Sequence, residues 1–355
     1  MNAYFRHSGL FLFSGPVVFG TALLGGAWTW LGMVLPFLAM QAGDFVWPKD
    51  LRDRTYRYPS ILNALLFLHL LWAVLVVLVL CWVFSQPALG RSIGSMLGLA
   101  LSVGVLGSTN YVVAHELIHR RSRLSVFIGN CLLALVADTQ FAIAHLYEHH
   151  KHVCTPADSA SARRGESLYA FVLRSSYGQY VAAMHIEATR LHAQGLSAWH
   201  VRNRFLRGQC MTASVFLGVA FVFGWQALLG YALSIVFAKL LYETVNYIQH
   251  YGLLRVPGTA VEPRHSWDCT ASFSGAFLFN LTRHADHHAR ADVPFWALRA
   301  EPKSPQHTQG YALTMMLAFF PPIWFGRMDS QLAQWDAQFA TPQERHLIHG
   351  KKDAP

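Results

Sequence analysis

Nine histidines carry the first chemical signal in this sequence. His115 and His119 bracket His-Glu-Leu-Ile-His, while His145, His149 and His150 belong to His-Leu-Tyr-Glu-His-His. His284, His287 and His288 form His-Ala-Asp-His-His, and His250 stands within Asn246-Tyr-Ile-Gln-His-Tyr-Gly252. Spacings of three and four residues put side chains on one helix face, a turn apart, as two ligands of one ion require. A doubled histidine adds a neighbouring vector that can reach a second ion. Isolated histidines such as His7, His192 and His346 read as solvated surface groups. His152, His185 and His265 read as neighbours of the site or as unrelated to it.

Imidazole suits zinc, copper, iron and nickel. A structural zinc closes its shell with four ligands, which nine nitrogens overfill. Shared between two ions, the nine leave four or five on each and a position open for oxygen or solvent, a count that favours two irons. Glu116, Asp138, Glu148, Asp158, Glu243 and Asp286 are candidates to orient the imidazoles, together with Gln249 and His265. No side chain outside the metal set is singled out as catalytic. Two alternatives remain at this point. His115 to His119 also reads as the zinc-peptidase pattern His-Glu-x-x-His, with Glu116 as general base, but that leaves the two His-His pairs unexplained. A histidine-rich metal transporter would carry polar groups through the middle of its spans, where this chain offers little beyond His69, Lys239 and Glu243.

The elements that must position these histidines read as membrane helices. Of the 355 residues 53% are apolar and only 13% charged, a balance suited to several bilayer crossings. The pattern predicts an all-α integral membrane protein with about six transmembrane helices, near 9–25, 27–41, 60–84, 93–114, 211–226 and 230–246. The stretches 9–41 and 211–246 are too long for one crossing. They fold as hairpins near Gly25-Gly26 and between Gly224 and Gly230, or else run as one tilted span into an interfacial helix. Segment 125–144 joins two histidine motifs, so it must lie flat or dip in and return. Segment 311–320 is too short to cross, and Pro321-Pro322 ends it. Of the 28 Lys and Arg residues only Arg91 falls in a loop assigned to the outer side. That places both termini and the histidine-rich, di-iron domain on the cytoplasmic side of the inner membrane.

The net charge of +9 fits a cytoplasmic membrane face and an acidic protein partner, and the basic residues form no patch suited to nucleic acid. Five scattered cysteines, with no Cys-x-x-Cys pair, exclude a disulfide framework and a fused rubredoxin or ferredoxin module. No removable signal peptide is expected. Residues 1–345 read as one membrane-embedded domain and 346–355 as a C-terminal tail.

At its histidine motifs the chain resembles the membrane-bound non-haem di-iron oxygenases, a superfamily of fatty-acid desaturases and hydroxylases, alkane 1-monooxygenases and xylene monooxygenases. Asn246 to Arg255 is similar to the fourth motif of the alkane and xylene branch, and Thr155 to Ser161, His265-Ser-Trp267 and Leu281 to Ala289 point the same way. Gln249 stands where alkane hydroxylases usually carry a glutamate. Trp335-Asp336 and Ala340-Thr-Pro-Gln-Glu-Arg345 are similar to the tail of the xylene enzymes. Both details lean toward the xylene branch. The resemblance implies that His115, His119, His145, His149, His150, His250, His284, His287 and His288 hold two irons. It implies O2-dependent hydroxylation of a methyl group on a hydrophobic hydrocarbon. Electrons would come from a separate rubredoxin, ferredoxin or iron–sulfur reductase docking on the cytoplasmic face. A fatty-acid desaturase or hydroxylase of the same superfamily is the runner-up.

Overall fold

A computed structural model describes residues 4–10, 14–47 and 49–349. Among them every regular element is helical, with one isolated bridge between Asp268 and Gln306. Among the described residues four helices are long and apolar enough to cross a bilayer: Gly26–Val46, Pro59–Phe84, Ile93–Ile118 and Arg204–His250.

The chain opens with α1 (Gly15–Leu24) and, after a tight 3-10 turn, α2 (Leu31–Val46). Between them Gly25 takes φ +70°, backbone that a residue with a Cβ rarely adopts. The reversal lays Val18 against Gly32. Arg91, the one basic residue expected in an outer loop, donates to the Ala22 carbonyl at 2.8 Å and so satisfies an orphan acceptor at the end of α1. Next come α3 (Pro59–Phe84), opened by proline at its first position, and α4 (Ile93–Ile118), capped by the Ser92 hydroxyl.

Two short helices, α5 (Arg123–Ala134) and α6 (Phe141–Ala144), form the connection between histidine motifs. They dip and return instead of lying flat. Val136 comes back alongside Gly107 of α4, and Ala137 turns at φ +54°. At the turn Asp138 accepts the Tyr111 hydroxyl at 2.8 Å and the Lys239 ammonium at 2.6 Å.

After α7 (Leu168–His192) runs α8 (Arg204–His250), which doubles back on itself at Gly224, φ +83° and ψ −179°. The rings of Phe216 and Tyr231 are 5.5 Å apart, whereas on a straight helix they would stand roughly 22 Å apart. Gln209 on one leg and Lys239 on the other both reach the 138–140 turn. The remaining helices are α9 (Ser272–Phe277), α10 (His284–Ala289), α11 (Tyr311–Ala318), α12 (Pro321–Gln338) and α13 (Pro342–His349).

Several expectations shift. Gly9, Leu10 and Ser14 are helical ahead of the regular α1 that begins at Gly15, and residues 11–13 lie outside the described residues. α2 runs past 41 to Val46, and α4 past 114 to Ile118, which puts His115 inside the helix. No loop separates 226 from 230, because Gly224 alone makes the bend. Pro321 does end the 311–320 segment, and it does so by opening α12. The expected tail at 346 begins inside α13, since Thr341 and Glu344 cap each other's backbone and Glu344 is buried; residues 350–355 lie outside the described residues. His7 is fully buried rather than solvated, its Nδ1 facing the Ala276 carbonyl at 3.0 Å. His192 and His346 are exposed as expected.

Candidate metal centre

The ends of α4, α6, α8 and α10 converge, and the nine patterned histidines meet there in two groups. His115, His119, His145, His150 and His287 form one; His149, His250, His284 and His288 form the other. Within each group one nitrogen per ring lies within 4.8 Å of all the others. In the first group Nε2 of His145 stands 3.1 Å from that of His119 and 3.0 Å from that of His150. His287 and His150 are 3.1 Å apart by the same atoms. In the second, Nε2 of His284 is 3.0 Å from that of both His250 and His288. The rings of His150 and His288 lie 4.6 Å apart, so the groups adjoin.

Local backbone decides which ring goes where. α6 continues through a π-helical turn over His145–His149. Widening the turn swings His150 under His145, so these two share a group although they are five residues apart. His149, expected on one face with His145, is sent to the other group. π-turns inside helices are rare and concentrate at functional sites. In α10 ordinary helical spacing puts His284 and His288 together and His287 opposite. Each His-His pair is therefore split between the two groups.

Burial comes first, and neighbouring imidazoles second, in holding His145, His150, His284, His287 and His288 well below the usual histidine range. His119 is pushed down to about 4 by the same causes. These rings are neutral, the form that donates a lone pair to a metal. Hydrogen bonds fix two of them further. His149 Nδ1 meets the Asp158 carboxylate at 2.9 Å and His250 Nδ1 meets the His265 carbonyl at 3.1 Å. Both partners only accept, so both Nδ1 atoms carry a hydrogen and the Nε2 atoms are the ones turned toward the group. Burial alone would raise the Asp158 pKa, but His149 and the Ser161 hydroxyl (2.6 Å) outweigh it and lower it.

Of the eight candidate orienting residues, Asp158 is the one whose side chain bonds a histidine of the two groups. His265 contributes its carbonyl, while its ring faces Glu344. Glu116 is taken by Arg120 and the Phe295 amide, and Glu148 by Ser159. Asp286 is taken by Arg290 and the Arg299 amide, and Asp138 and Glu243 share Lys239. Gln249 donates to the Leu281 carbonyl at 3.3 Å and to the Tyr311 hydroxyl at 3.0 Å. Gln249→Glu would set a carboxylate, with no hydrogen to give, against that buried carbonyl. Its expected cost is about 1–3 kcal/mol, read as a lower unfolding midpoint in detergent; an unchanged midpoint would show the amide donor to be idle.

Two residues escaped the sequence reading. Asp268 accepts the Ala285 amide at 2.8 Å at the start of α10, and burial pushes its pKa up to about 7. Nothing in its local pattern marks it. Glu344 did carry a signal, the Thr-x-x-Glu capping box.

A largely apolar cavity lies between α2, α4 and α8. Pro36, Phe37 and Met40 of α2, Val112 of α4, Leu241 and Val245 of α8, and Leu278 and Leu281 line it. A separate, smaller pocket is lined by the same Val112, Leu278 and Leu281 together with His115 and His287.

The fatty acid desaturase family model matches residues 92–303. Alkane 1-monooxygenase 2 of Pseudomonas aeruginosa is 38% identical over 262 residues, covering 72% of this chain and 69% of the relative. Alkane 1-monooxygenase of Ectopseudomonas oleovorans is 32% identical over 90% of this chain and 79% of its own. The xylene/toluene monooxygenase hydroxylase component of Pseudomonas putida is 31% identical over 94% of this chain and 91% of its own. With these relatives, the two histidine groups indicate a non-haem iron centre and leave no place for the peptidase or transporter alternatives. The chain belongs to the fatty acid desaturase family and, within it, to the alkane and xylene monooxygenases: it is a membrane monooxygenase.

Proposed function

We propose that this enzyme uses O2 and two iron ions to hydroxylate a methyl group of a hydrophobic hydrocarbon, an n-alkane or a methyl-substituted arene, to the primary alcohol. The observation that carries this reading is the pair of imidazole groups, two of whose rings, His115 and His287, line a small pocket that shares Val112, Leu278 and Leu281 with an apolar cavity. The donor set fits the metal. His115 Nε2 is buried with no hydrogen-bond partner, and the Nε2 atoms of neighbouring rings turn toward one another at 3.0–3.1 Å, as ligands of a shared cation do. Nitrogens bound at roughly 2.1 Å and at right angles stand about 3.0 Å apart. Groups of five and four leave room at each ion for oxygen or solvent.

His115, His119, His145, His150 and His287 hold one iron, and His149, His250, His284 and His288 the other. When bound there, the irons would supply oxygen activation and the oxidising power for cleavage of the methyl C–H bond. The chain's own side chains hold the methyl group between Leu278, Leu281 and Val112, exclude water from the same space, and keep the imidazoles aimed. Per turnover one oxygen atom enters the product and the other leaves as water, which takes two protons and two electrons.

The electrons come from a separate rubredoxin-like or iron–sulfur protein. Exposed Arg121, Arg123, Lys151 and Arg163 follow the histidine motifs in the chain and suit an acidic partner. Two reversals, at Gly25 and Gly224, support six crossings, and the distribution of Lys and Arg residues supports a cytoplasmic side for the histidine groups. Gln249 and the tail similar to the xylene enzymes favour a methylarene. Metal analysis and product analysis on the detergent-purified chain test this. Two irons per chain, and a primary alcohol from octane or a xylene with O2 and a supplied donor, are expected. An alkene product would place the chain with the desaturases, and one zinc with no oxygen-dependent product would overturn the proposal.

A further inference from the structure

The C-terminal helix reaches the second histidine group through a single ring. His265 Nδ1 accepts the Glu262 amide hydrogen at 2.9 Å, so its own hydrogen lies on Nε2, which donates to Glu344 Oε1 at 2.8 Å. Ring and carboxylate are 0% and 1% exposed. Glu344 is in turn held in the first turn of α13. Its Oε2 accepts the Thr341 amide at 2.8 Å, its own amide donates to the Thr341 hydroxyl at 3.2 Å, and Arg264 adds an ion pair at 3.2 Å. Trp335 of α12 donates to the Arg264 carbonyl at 2.8 Å, a second anchor on the same short turn, Pro263–His265.

The carbonyl of His265 leaves that anchored turn in the opposite direction. It accepts His250 Nδ1–H at 3.1 Å and the Cys154 thiol at 3.0 Å. His250 is wholly buried, and with Nδ1 engaged its Nε2 faces His284 Nε2 at 3.0 Å. Movement of the turn therefore rotates His250 within the second group. Among the described residues, none of the five histidines of the first group is bonded to α12 or α13.

We propose that Glu344 is a positioning residue for the second metal site, acting through the ring and carbonyl of His265 on the direction of His250. The inference rests on the di-iron reading. Its signature is selectivity: Glu344→Ala weakens one iron site and spares the other. Loss of an outer hydrogen-bond partner of a metal-binding imidazole costs about 10–100-fold in metal affinity. Glu344 acts one bond further out, so roughly tenfold is expected. Glu344→Gln keeps an acceptor for His265 Nε2–H and should hold both sites near wild type.

The test is ferrous-ion titration of the detergent-purified chain, with Mössbauer spectra of the 57Fe-loaded protein, on wild type, E344A and E344Q. One weakened site and one shifted doublet in E344A, with E344Q close to wild type, are expected. Two unaltered sites in E344A, or equal weakening of both, would overturn the proposal. If E344A does not fold, E344D replaces it. The shorter side chain should shift the same single doublet, and unshifted doublets overturn the proposal just as well. A wild-type chain that binds no iron sinks the di-iron reading and this inference together, whereas two irons with E344A unchanged sinks this inference alone.

Discussion

His149→Ala and His150→Ala, adjacent in the sequence, are expected to damage different metal sites. His150 belongs with His145 and His287, at Nε2 separations of 3.0 and 3.1 Å, and His149 with His250, His284 and His288. Removing either ring takes a nitrogen out of one group and leaves the other complete. Each variant should retain one tightly bound iron and lose oxygen-dependent turnover, because the proposed hydroxylation uses both ions. The loss of affinity at the damaged site should exceed the roughly 10–100-fold that follows removal of an outer hydrogen-bond partner. Asp158→Ala supplies that comparison. It frees His149 Nδ1 and should weaken by about that factor the same site that His149→Ala weakens. His192→Ala, at an exposed position, should change nothing. Site-resolved iron titration with Mössbauer spectra reads all four. The same doublet lost in both histidine variants would mean that the division between groups is wrong.

That division is also where the sequence stopped being informative. The histidine motifs, their convergence and the splitting of each doubled pair all follow from spacing. Spacing alone, however, puts His145 and His149 on one helical face. The π-turn that exchanges His149 for His150 is a local rearrangement with no residue signature in Leu146-Tyr-Glu148. The two chain reversals were legible because glycine can take the positive φ that each demands, at Gly25 and Gly224. The extra turn of α4 past residue 114 was not, since His115 and Glu116 end an apolar run in the sequence yet are buried by α10 and Phe295 in the fold. Carboxylates near a motif proved a poor guide to what orients a ring. Among the six weighed, Asp158 found a histidine because the amide of Ala160 and the hydroxyl of Ser161 turn it inward; the other five had nearer partners. Glu344 lies far along the chain from any motif, and its link to His265 is a tertiary contact across 79 residues.

Lys239→Met is expected to destabilise the fold by about 3–5 kcal/mol, the cost of leaving buried charges without their partner. Lys239 Nζ bridges Asp138 at 2.6 Å and Glu243 at 2.7 Å, and both carboxylates are buried. Without the ammonium, Asp138 keeps the Tyr111 hydroxyl and Glu243 keeps Gln179, but two negative charges then share a low-dielectric space. The damage should extend to the metal centre. Asp138 sits at the bottom of the dip, three residues before Phe141, and Phe141 stacks on His145 at 4.8 Å. Loosening the turn loosens the first histidine group, so iron binding there should weaken while the second group holds. Charge, not volume, is the cause, and one further variant separates the two. Asp138→Asn with Glu243→Gln, added to Lys239→Met, removes the whole ionic set and should recover most of the lost stability, as replacement of buried ion clusters by neutral groups often does. Unfolding in detergent, monitored with first-site iron affinity, reads both effects. A single variant within about 1 kcal/mol of wild type, or a triple variant no better than the single, would show that the cluster does not hold the dip in place.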